Sequence, residues 1–355
     1  MRDVLGRSVT IARPPRAVLL AEGFQLLALA VAHPDPVPLL VGRGGDLRRL
    51  DAALDNGFRQ RFPALAKVPE ITSAVGQGFS LERALSLLPD LVILSAWQMN
   101  AAEMRGNVEQ LDKAGIRVVV ADTFLRPLDE LVPSVRLLGQ VFGQEARAEA
   151  FAGFHEARRQ AVLDRLRAAP AAEAPAALLT AFPGRWNCCW VAGRDGAGEA
   201  LTLLGARNVG LPFLPGPSGA QLSLEQVLTA APDIFIGTGA RLDDQGGSGG
   251  GDSGGGEGLQ LGTGVGAAEA RDSLRHLLEQ PGYRSLPEAA RRRACGLWNP
   301  VFGSPVAIAA IEAMARWLHP TLFADLDPAA TLAEINRRFT PVPFDGTYWT
   351  ELPAG

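Results

Sequence analysis

The sequence predicts an α/β protein of two Rossmann-like lobes, each with a central, mostly parallel sheet, joined by a long α-helix. Three observations carry this reading. Apolar strand-like runs alternate with helical periodicity in both halves of the chain. A helical stretch of about 25 residues, roughly 37 Å at 1.5 Å per residue, lies between the halves. A 14-residue segment recurs 143 positions downstream with 7 identities, and a repeat of that length implies two units built alike.

The elements follow in order. Ala17 to Ala21 is a short apolar strand, Phe24 to Ala32 a helix, and Val37 to Val41 a strand. Ser80 to Leu88 is a short helix, Asp90 to Leu94 a buried strand, Asn100 to Ala114 a helix stopped by Gly115, and Arg117 to Ala121 a strand. A helical stretch runs from Pro127 to Ala169, divided at Gly143, and its second piece, Gln144 to Ala168, reads as a strut between lobes. The Ala/Pro-rich tract at 170–175 marks a boundary. The alternation restarts with a strand at Ala176 to Ala181 and helices at Gly198 to Leu204 and Ser223 to Ala230. A strand at Asp233 to Gly237 and helices at Ala267 to Glu279 and Pro305 to Leu318 complete it. Residues 246–266 hold 12 glycines in 21 positions and read as a surface loop without packed structure. The expected organisation is an N-terminal lobe at 1–125, a linker at 126–170 and a C-terminal lobe at 171–355.

The repeat aligns Ser80-Leu81-Glu82 with Ser223-Leu224-Glu225, and Pro89-Asp90 with Pro232-Asp233. Each Ser can cap a helix N-terminus. Each Glu then falls in the first turn, where a carboxylate suits the helix dipole. Each Pro stops the helix ahead of an apolar strand. Two such lobes leave a cleft, and ligands of parallel sheets sit beyond the carboxyl ends of the strands. Those ends are Ser95-Ala96-Trp97 and Thr238-Gly239-Ala240-Arg241.

The composition excludes several classes. The formal charge is −4, from 34 basic and 38 acidic residues, without the basic footprint of a nucleic-acid binder. The basic set is 32 Arg and 2 Lys, a bias that carries no functional reading. No apolar run approaches the ~18 residues of a membrane span. Three cysteines, two of them adjacent (Cys188, Cys189), make no disulfide framework and no zinc spacing, and buried thiols are the plain reading. The four histidines, His33, His155, His276 and His319, lack metal-ligand spacing, so no protein-built metal site is expected. The string Gly251-Asp252-Ser253-Gly254-Gly255 matches a serine-protease motif inside a glycine tract, without the β-barrel pattern it needs. Gly42-Arg43-Gly44-Gly45 is not a dinucleotide fingerprint, and no nucleotide-binding P-loop is present.

With these motifs in place, the chain resembles the class III, helical-backbone substrate-binding proteins of ABC importers for iron-siderophore, haem and cobalamin complexes. The resemblance runs from Asp3-Val4-Leu5-Gly6-Arg7-Ser8-Val9 through both repeat copies and Leu137-Leu138-Gly139. It ends with Trp317-Leu318-His319-Pro320, Phe323 to Pro328 and Gly346-Thr347-Tyr348-Trp349. The chain departs from it at Ala21-Glu22-Gly23-Phe24, at the Gly-rich tract, and at Trp298 to Phe302, where side-chain ligation of a metal is not expected. The resemblance implies an extracytoplasmic receptor, periplasmic or lipid-anchored. It would capture a metal chelate, foremost a ferric siderophore, and deliver it to a membrane permease as a monomer. The sequence opens at Met1-Arg2-Asp3 on folded-looking residues, so the expectation is an export signal lying outside these residues, with a cytosolic protein as the alternative. No cofactor and no catalysis are implied. By motif position, Glu82 and Glu225 dock onto the permease; a dipole-stabilised surface carboxylate is the plain alternative.

The ligand-binding candidates are Gln77, Phe79, Ser95, Trp97, Arg185, Trp186, Thr238, Arg241, Trp298 and Phe302. Aromatic walls suit a flat or rounded chelate, and Arg suits anionic oxygens. Arg194 is a weaker candidate, and Arg43, Arg48 and Arg49 lie in a loop that would lid the cleft. The competing reading is a tetrapyrrole chelatase-like enzyme on a related two-lobed fold, which would need a His or carboxylate pair facing the cleft.

Overall fold

A computed structural model describes residues 1–72, 80–170, 173–185, 188–242 and 258–352. Gln77, Phe79 and Trp186 lie outside the described residues, as does the Gly-rich tract up to Glu257.

The first sheet comprises β1 (Val18–Leu20), β2 (Leu40–Gly44), β3 (Glu70–Thr72), β4 (Leu91–Ser95) and β5 (Arg117–Ala121). All pairings are parallel, in the order β3-β2-β1-β4-β5. Every residue of β4 is buried, as expected for a strand covered on both faces. The helices of this lobe are α1 (Gln25–Ala32), α2 (Asp46–Leu50), α3 (Ala52–Arg61), α4 (Leu81–Ser86) and α5 (Ala102–Lys113). The strand expected from Val37 begins instead at Leu40, because Pro38 sits in a 3-10 turn over Val37–Leu39 and cannot donate to a ladder. Arg48 and Arg49, expected in a loop, lie in α2. Arg43, expected in a lid, is wholly buried, paired with Asp55 at 2.6 Å and Glu70 at 3.3 Å. Arg48 also pairs with Glu70, at 2.9 Å, so this cluster anchors β3.

Two helices then form the linker, α6 (Pro127–Phe142) and α7 (Glu145–Ala168). The corner between them is Gly143, at φ +66°, with the Gln144 N–H closing back on the Gly139 carbonyl at 2.7 Å. A side chain disfavours that left-handed conformation.

The second lobe contains β6 (Ala176–Ala181), β7 (Trp190–Val191), β8 (Arg207–Asn208), β9 (Ala220–Gln221), β10 (Ile234–Gly239), β11 (Gly262–Thr263), β12 (Ala294–Trp298), β13 (Gly346–Thr347) and β14 (Trp349–Glu351). Its sheet runs β14-β12-β10-β6-β7-β9, with β8 beside β6. β6, β10 and β12 are parallel; β14 is antiparallel to β12, β7 to β6, and β9 to β7, so β9 again runs with the central strands. The helices are α8 (Gly198–Leu203), α9 (Leu224–Thr229), α10 (Ala267–Glu279), α11 (Glu288–Arg292), α12 (Ala307–Leu318) and α13 (Pro328–Arg338). Residues 258–266 correct the expectation of an unpacked loop. Leu259, Leu261 and Val265 are buried, and β11 pairs antiparallel with β13. Cys188 and Cys189, whose redox state the sequence leaves open, form a disulfide with each other, and Cys295 is free and buried.

The linker holds the lobes together. All eight residues of α1 are buried, and nearly all of α12. Helices apolar all round need cover on every side, and α7 packs on both of them. Arg147 of α7 donates to the Val31 carbonyl of α1 at 2.7 Å and to the Phe339 carbonyl just beyond α13 at 3.2 Å. One guanidinium thus satisfies carbonyls at helix ends in both lobes. Arg147→Ala should therefore lower stability by about 1–3 kcal/mol, the range for charged hydrogen bonds. The check is the urea midpoint and melting temperature of the variant against wild type; coincident curves would deny the joint its role.

Candidate functional site

The parallel strands place their carboxyl ends on one edge of each sheet, and several contacts of the first lobe and the linker with the second lobe fall near these edges. Phe24, on the β1–α1 turn, packs against Trp298 at the end of β12, ring centroids 6.1 Å apart. The Gly196 N–H donates to the Leu125 carbonyl at 2.7 Å. The Thr263 N–H donates to Asp51 Oδ2 at 2.9 Å, and the Leu128 N–H to Glu199 Oε2 at 3.0 Å.

The first lobe's edge is built around Glu22, two residues past β1. The turn is tight: a Cβ at Gly23 would stand 2.3 Å from the Gly44 carbonyl oxygen, so no side chain fits there. Asp46, after β2, accepts from the Gly23 and Phe24 N–H groups at 2.5 and 2.9 Å and so holds the turn that leads into α1. Ser95 ends β4 and donates its hydroxyl to Glu22 Oε2. The Trp97 indole N–H donates to Glu22 Oε1 at 2.9 Å. Gln25 donates to the Ser95 hydroxyl at 3.1 Å, and Gln98 Oε1 accepts from the Ser95 N–H at 2.9 Å. Ser95 is buried, while Glu22 and Trp97 are half-buried. Phe124, past β5, is 63% exposed on the same edge.

Burial is the largest influence on Glu22 and pushes its pKa up to about 7; the charge of Asp46 adds to this, against the Ser95 and Trp97 hydrogen bonds. Glu199 is likewise pushed up to about 7, chiefly by burial. Burial also raises Asp46 and Asp51.

The sequence-derived candidates divide. Ser95 and Trp97 meet at Glu22. Arg185 is half-buried past the end of β6, its Cβ beside Gly258. Three others point inward in this arrangement. Trp298 is 0% exposed among Phe24, Phe344 and Tyr348. Phe302 is buried, and Thr238 is buried with its hydroxyl accepting from Asn299 Nδ2 at 2.8 Å. Arg241 is ion-paired with Glu269. Arg194 is exposed. Glu22 and Asp46 were not singled out in the sequence; the signal for Glu22 was an acid directly after the apolar run Ala17 to Ala21.

Glu82 and Glu225 occupy matching positions. Both are exposed, one residue inside α4 and α9. Ser80 and Ser223 cap those helices, accepting from the Arg83 and Gln226 N–H groups at 3.4 and 3.2 Å. Each helix leads into the amino end of a parallel strand of its sheet. Among the described residues, no group of three or more His, Cys, Asp or Glu is placed to hold a metal ion, and no helix is long and apolar enough to cross a membrane.

The pKa shifts carry a stability consequence. Between the ordinary carboxyl value of 4.5 and about 7, folded Glu22 and Glu199 hold protons that the unfolded chain has released. Stability therefore falls as pH rises through that window and levels off above it. Glu22→Gln should flatten the decline, Glu199 supplying the remainder, and should melt higher than wild type at about pH 8. Thermal melts across pH check this; an unchanged slope would place the Glu22 carboxyl in water.

A search of curated proteins finds no match. A family model described as periplasmic binding protein matches residues 63–294. Solved structures share the fold. A TroA-like periplasmic binding protein, FepB, from Veillonella parvula is 22% identical, with a TM-score of 0.83 over 99% of both chains. The molybdate periplasmic binding protein MolA of Haemophilus influenzae, bound to molybdate, is 18% identical, with a TM-score of 0.68 over 98% of this chain and 99% of its own. A periplasmic haem-binding protein from Pseudomonas aeruginosa is 19% identical, with a TM-score of 0.56 over 86% of this chain and 94% of its own. With the two-lobed architecture and the extent of the family match, the chain belongs to the periplasmic binding protein family.

Proposed function

We propose that the protein is the extracytoplasmic receptor of an ABC importer, taking up a metal chelate between its lobes, foremost a ferric siderophore, and presenting it to a membrane permease. The observation that carries this reading is the meeting of the two sheets' carboxyl edges, one lined by Glu22, Ser95, Trp97 and Phe124. Parallel sheets bind ligands at such edges. The half-exposed indole of Trp97 and the exposed ring of Phe124 offer apolar surface to a bulky complex. Neighbours of the same fold bind haem and molybdate, so the architecture accommodates metal complexes of differing size.

Glu82 and Glu225 serve as the docking pair in this proposal. Exposed carboxylates at the starts of α4 and α9 present one negative charge per lobe at matching positions. Salt-sensitive attraction to basic permease residues follows from that placement. The receptor works as a monomer, held outside the cytoplasm by export or a lipid anchor.

The deciding experiment is tryptophan-quenching titration against ferric hydroxamate, catecholate and citrate complexes, haem and cobalamin. Saturable sub-micromolar quenching by one iron complex, weakened in Trp97→Ala, is expected; silence across the panel would overturn the chelate reading. For docking, Glu82→Lys with Glu225→Lys should abolish transport in reconstituted vesicles holding the cognate permease, while the soluble receptor still quenches with its ligand. Unimpaired transport would return both residues to a purely helix-stabilising role.

A further inference from the structure

We propose that Glu22 makes this site select a chelate that carries a cationic group, such as the protonated amine of a ferric trihydroxamate, over an anionic chelate. The inference rests on the chelate-receptor reading and narrows it.

The placement of Glu22 comes first. It shares its turn with Phe24, which touches the second lobe at Trp298, so it stands on the face between the lobes. Its side chain is half-buried, shielded but within reach. Ser95 and Trp97 each donate to one of its oxygens, which fixes the carboxyl without exhausting its lone pairs. A carboxylate so held can accept a further charge-assisted hydrogen bond from an ammonium.

The surrounding charge favours a cation. Asp46 and Asp122, at the ends of β2 and β5, add negative potential at Glu22. Of the described bases near these edges, Arg43 is engaged with Asp55 and Glu70, Arg126 with Asp129, and Arg241 with Glu269, while Arg49 and Arg185 have no ion pair among the described residues; none of them is among the groups acting on Glu22. Arg185 stands on the opposing lobe, past β6. The aromatic surface agrees. The Trp97 ring lies half-exposed beside the carboxyl and Phe124 is open on the same edge, and aromatic faces attract cations. A trianionic complex brought to this edge would meet like charge in a shielded setting, where repulsion is poorly screened.

The test uses three iron complexes. One is a linear ferric trihydroxamate ending in a protonated amine, the second its N-acetylated neutral twin, and the third a trianionic ferric tris-catecholate. Affinities are measured by tryptophan quenching at about pH 6 and pH 8, on wild type, Glu22→Gln and Glu22→Asp, with circular dichroism melts to establish that each variant is folded. At pH 8 the amine form should bind wild type about tenfold more tightly than its twin, the scale of one charge-assisted bond. The gap should narrow at pH 6 as Glu22 takes up its proton. It should vanish in Glu22→Gln and persist in part in Glu22→Asp. Equal affinity for the twins in wild type, a gap that survives Glu22→Gln, or tightest binding of the tris-catecholate would overturn the selectivity while leaving the receptor reading intact. No binding of any iron complex by wild type would overturn both.

Discussion

The structure depends on the packing of α7 across two helices that belong to different sheets. α1 covers the first sheet and α12 belongs to the second lobe, and both are too apolar to face water. α7 and α6 supply that cover at once, so neither lobe can turn away from the linker without exposing a helix. Charged groups lock the arrangement at its margins. Arg158 of α7 reaches the buried Glu312 of α12 at 3.1 Å and Glu334 of α13 at 3.0 Å, and Arg147 bridges carbonyls of both lobes. Breaking one partner of a half-buried pair leaves the other charge poorly solvated, which makes such contacts effective against sliding. The interlobe site is therefore held by a joint that lies at its back.

The internal repeat extends beyond the helix caps. Leu88 and Ala231, 143 positions apart, both adopt left-handed backbone, at φ +48° and +45°. Each closes its helix by an N–H bond to the residue three positions earlier, Leu85 and Leu228. Non-glycine residues pay a steric cost there, and the following Pro bars the helix from continuing. The Asp after each Pro then binds the first strand of its own lobe. Asp90 accepts from the Arg16 and Ala17 N–H groups at 2.9 and 3.0 Å, and Asp233 from the Ala176 N–H at 3.2 Å. The Ser-Leu-Glu…Pro-Asp pattern is thus a complete unit: a capped start, a forced stop and a clamp that sets one strand beside the next.

Much of this was legible because local rules and tertiary structure agree. β5 and β6 are apolar and span the residues expected, and the linker helix ends at Ala168 as its periodicity indicates. The failures have physical causes. β12, Ala-Cys-Gly-Leu-Trp, lacks β-branched residues and carries a glycine, so it has no strand signature. Yet it lies between β10 and β14, and pairing on both sides overrides its weak propensity. β11 was hidden by the glycine tract; the three apolar residues Leu259, Leu261 and Val265 are what draw its end into the core. Arg43 is buried through Asp55 and Glu70, charges that only the fold brings together. At the site, the sequence pointed to aromatic and basic residues at strand ends. It singled out Ser95 and Trp97 but not Glu22, to which both donate, because that acid meets them only through β4, some 70 residues away.

That acid poses a question of cost. A carboxyl shielded from water and set near Asp46 destabilises the fold at neutral pH, and an amide of the same shape would keep the Trp97 bond through its oxygen and donate its NH2 to the Ser95 hydroxyl, without the charge. Among the described residues nothing in the packing of the first lobe requires the charge at this point: Asp46 holds the turn before α1, and Gln98 answers the Ser95 N–H. The two donors aimed at Glu22 orient the carboxyl but do not neutralise it. A group that is oriented, shielded and left without a described cation beside it resembles an unfinished ion pair more than a structural one. Its completion by a ligand is the arrangement under which its placement on the interlobe face makes physical sense.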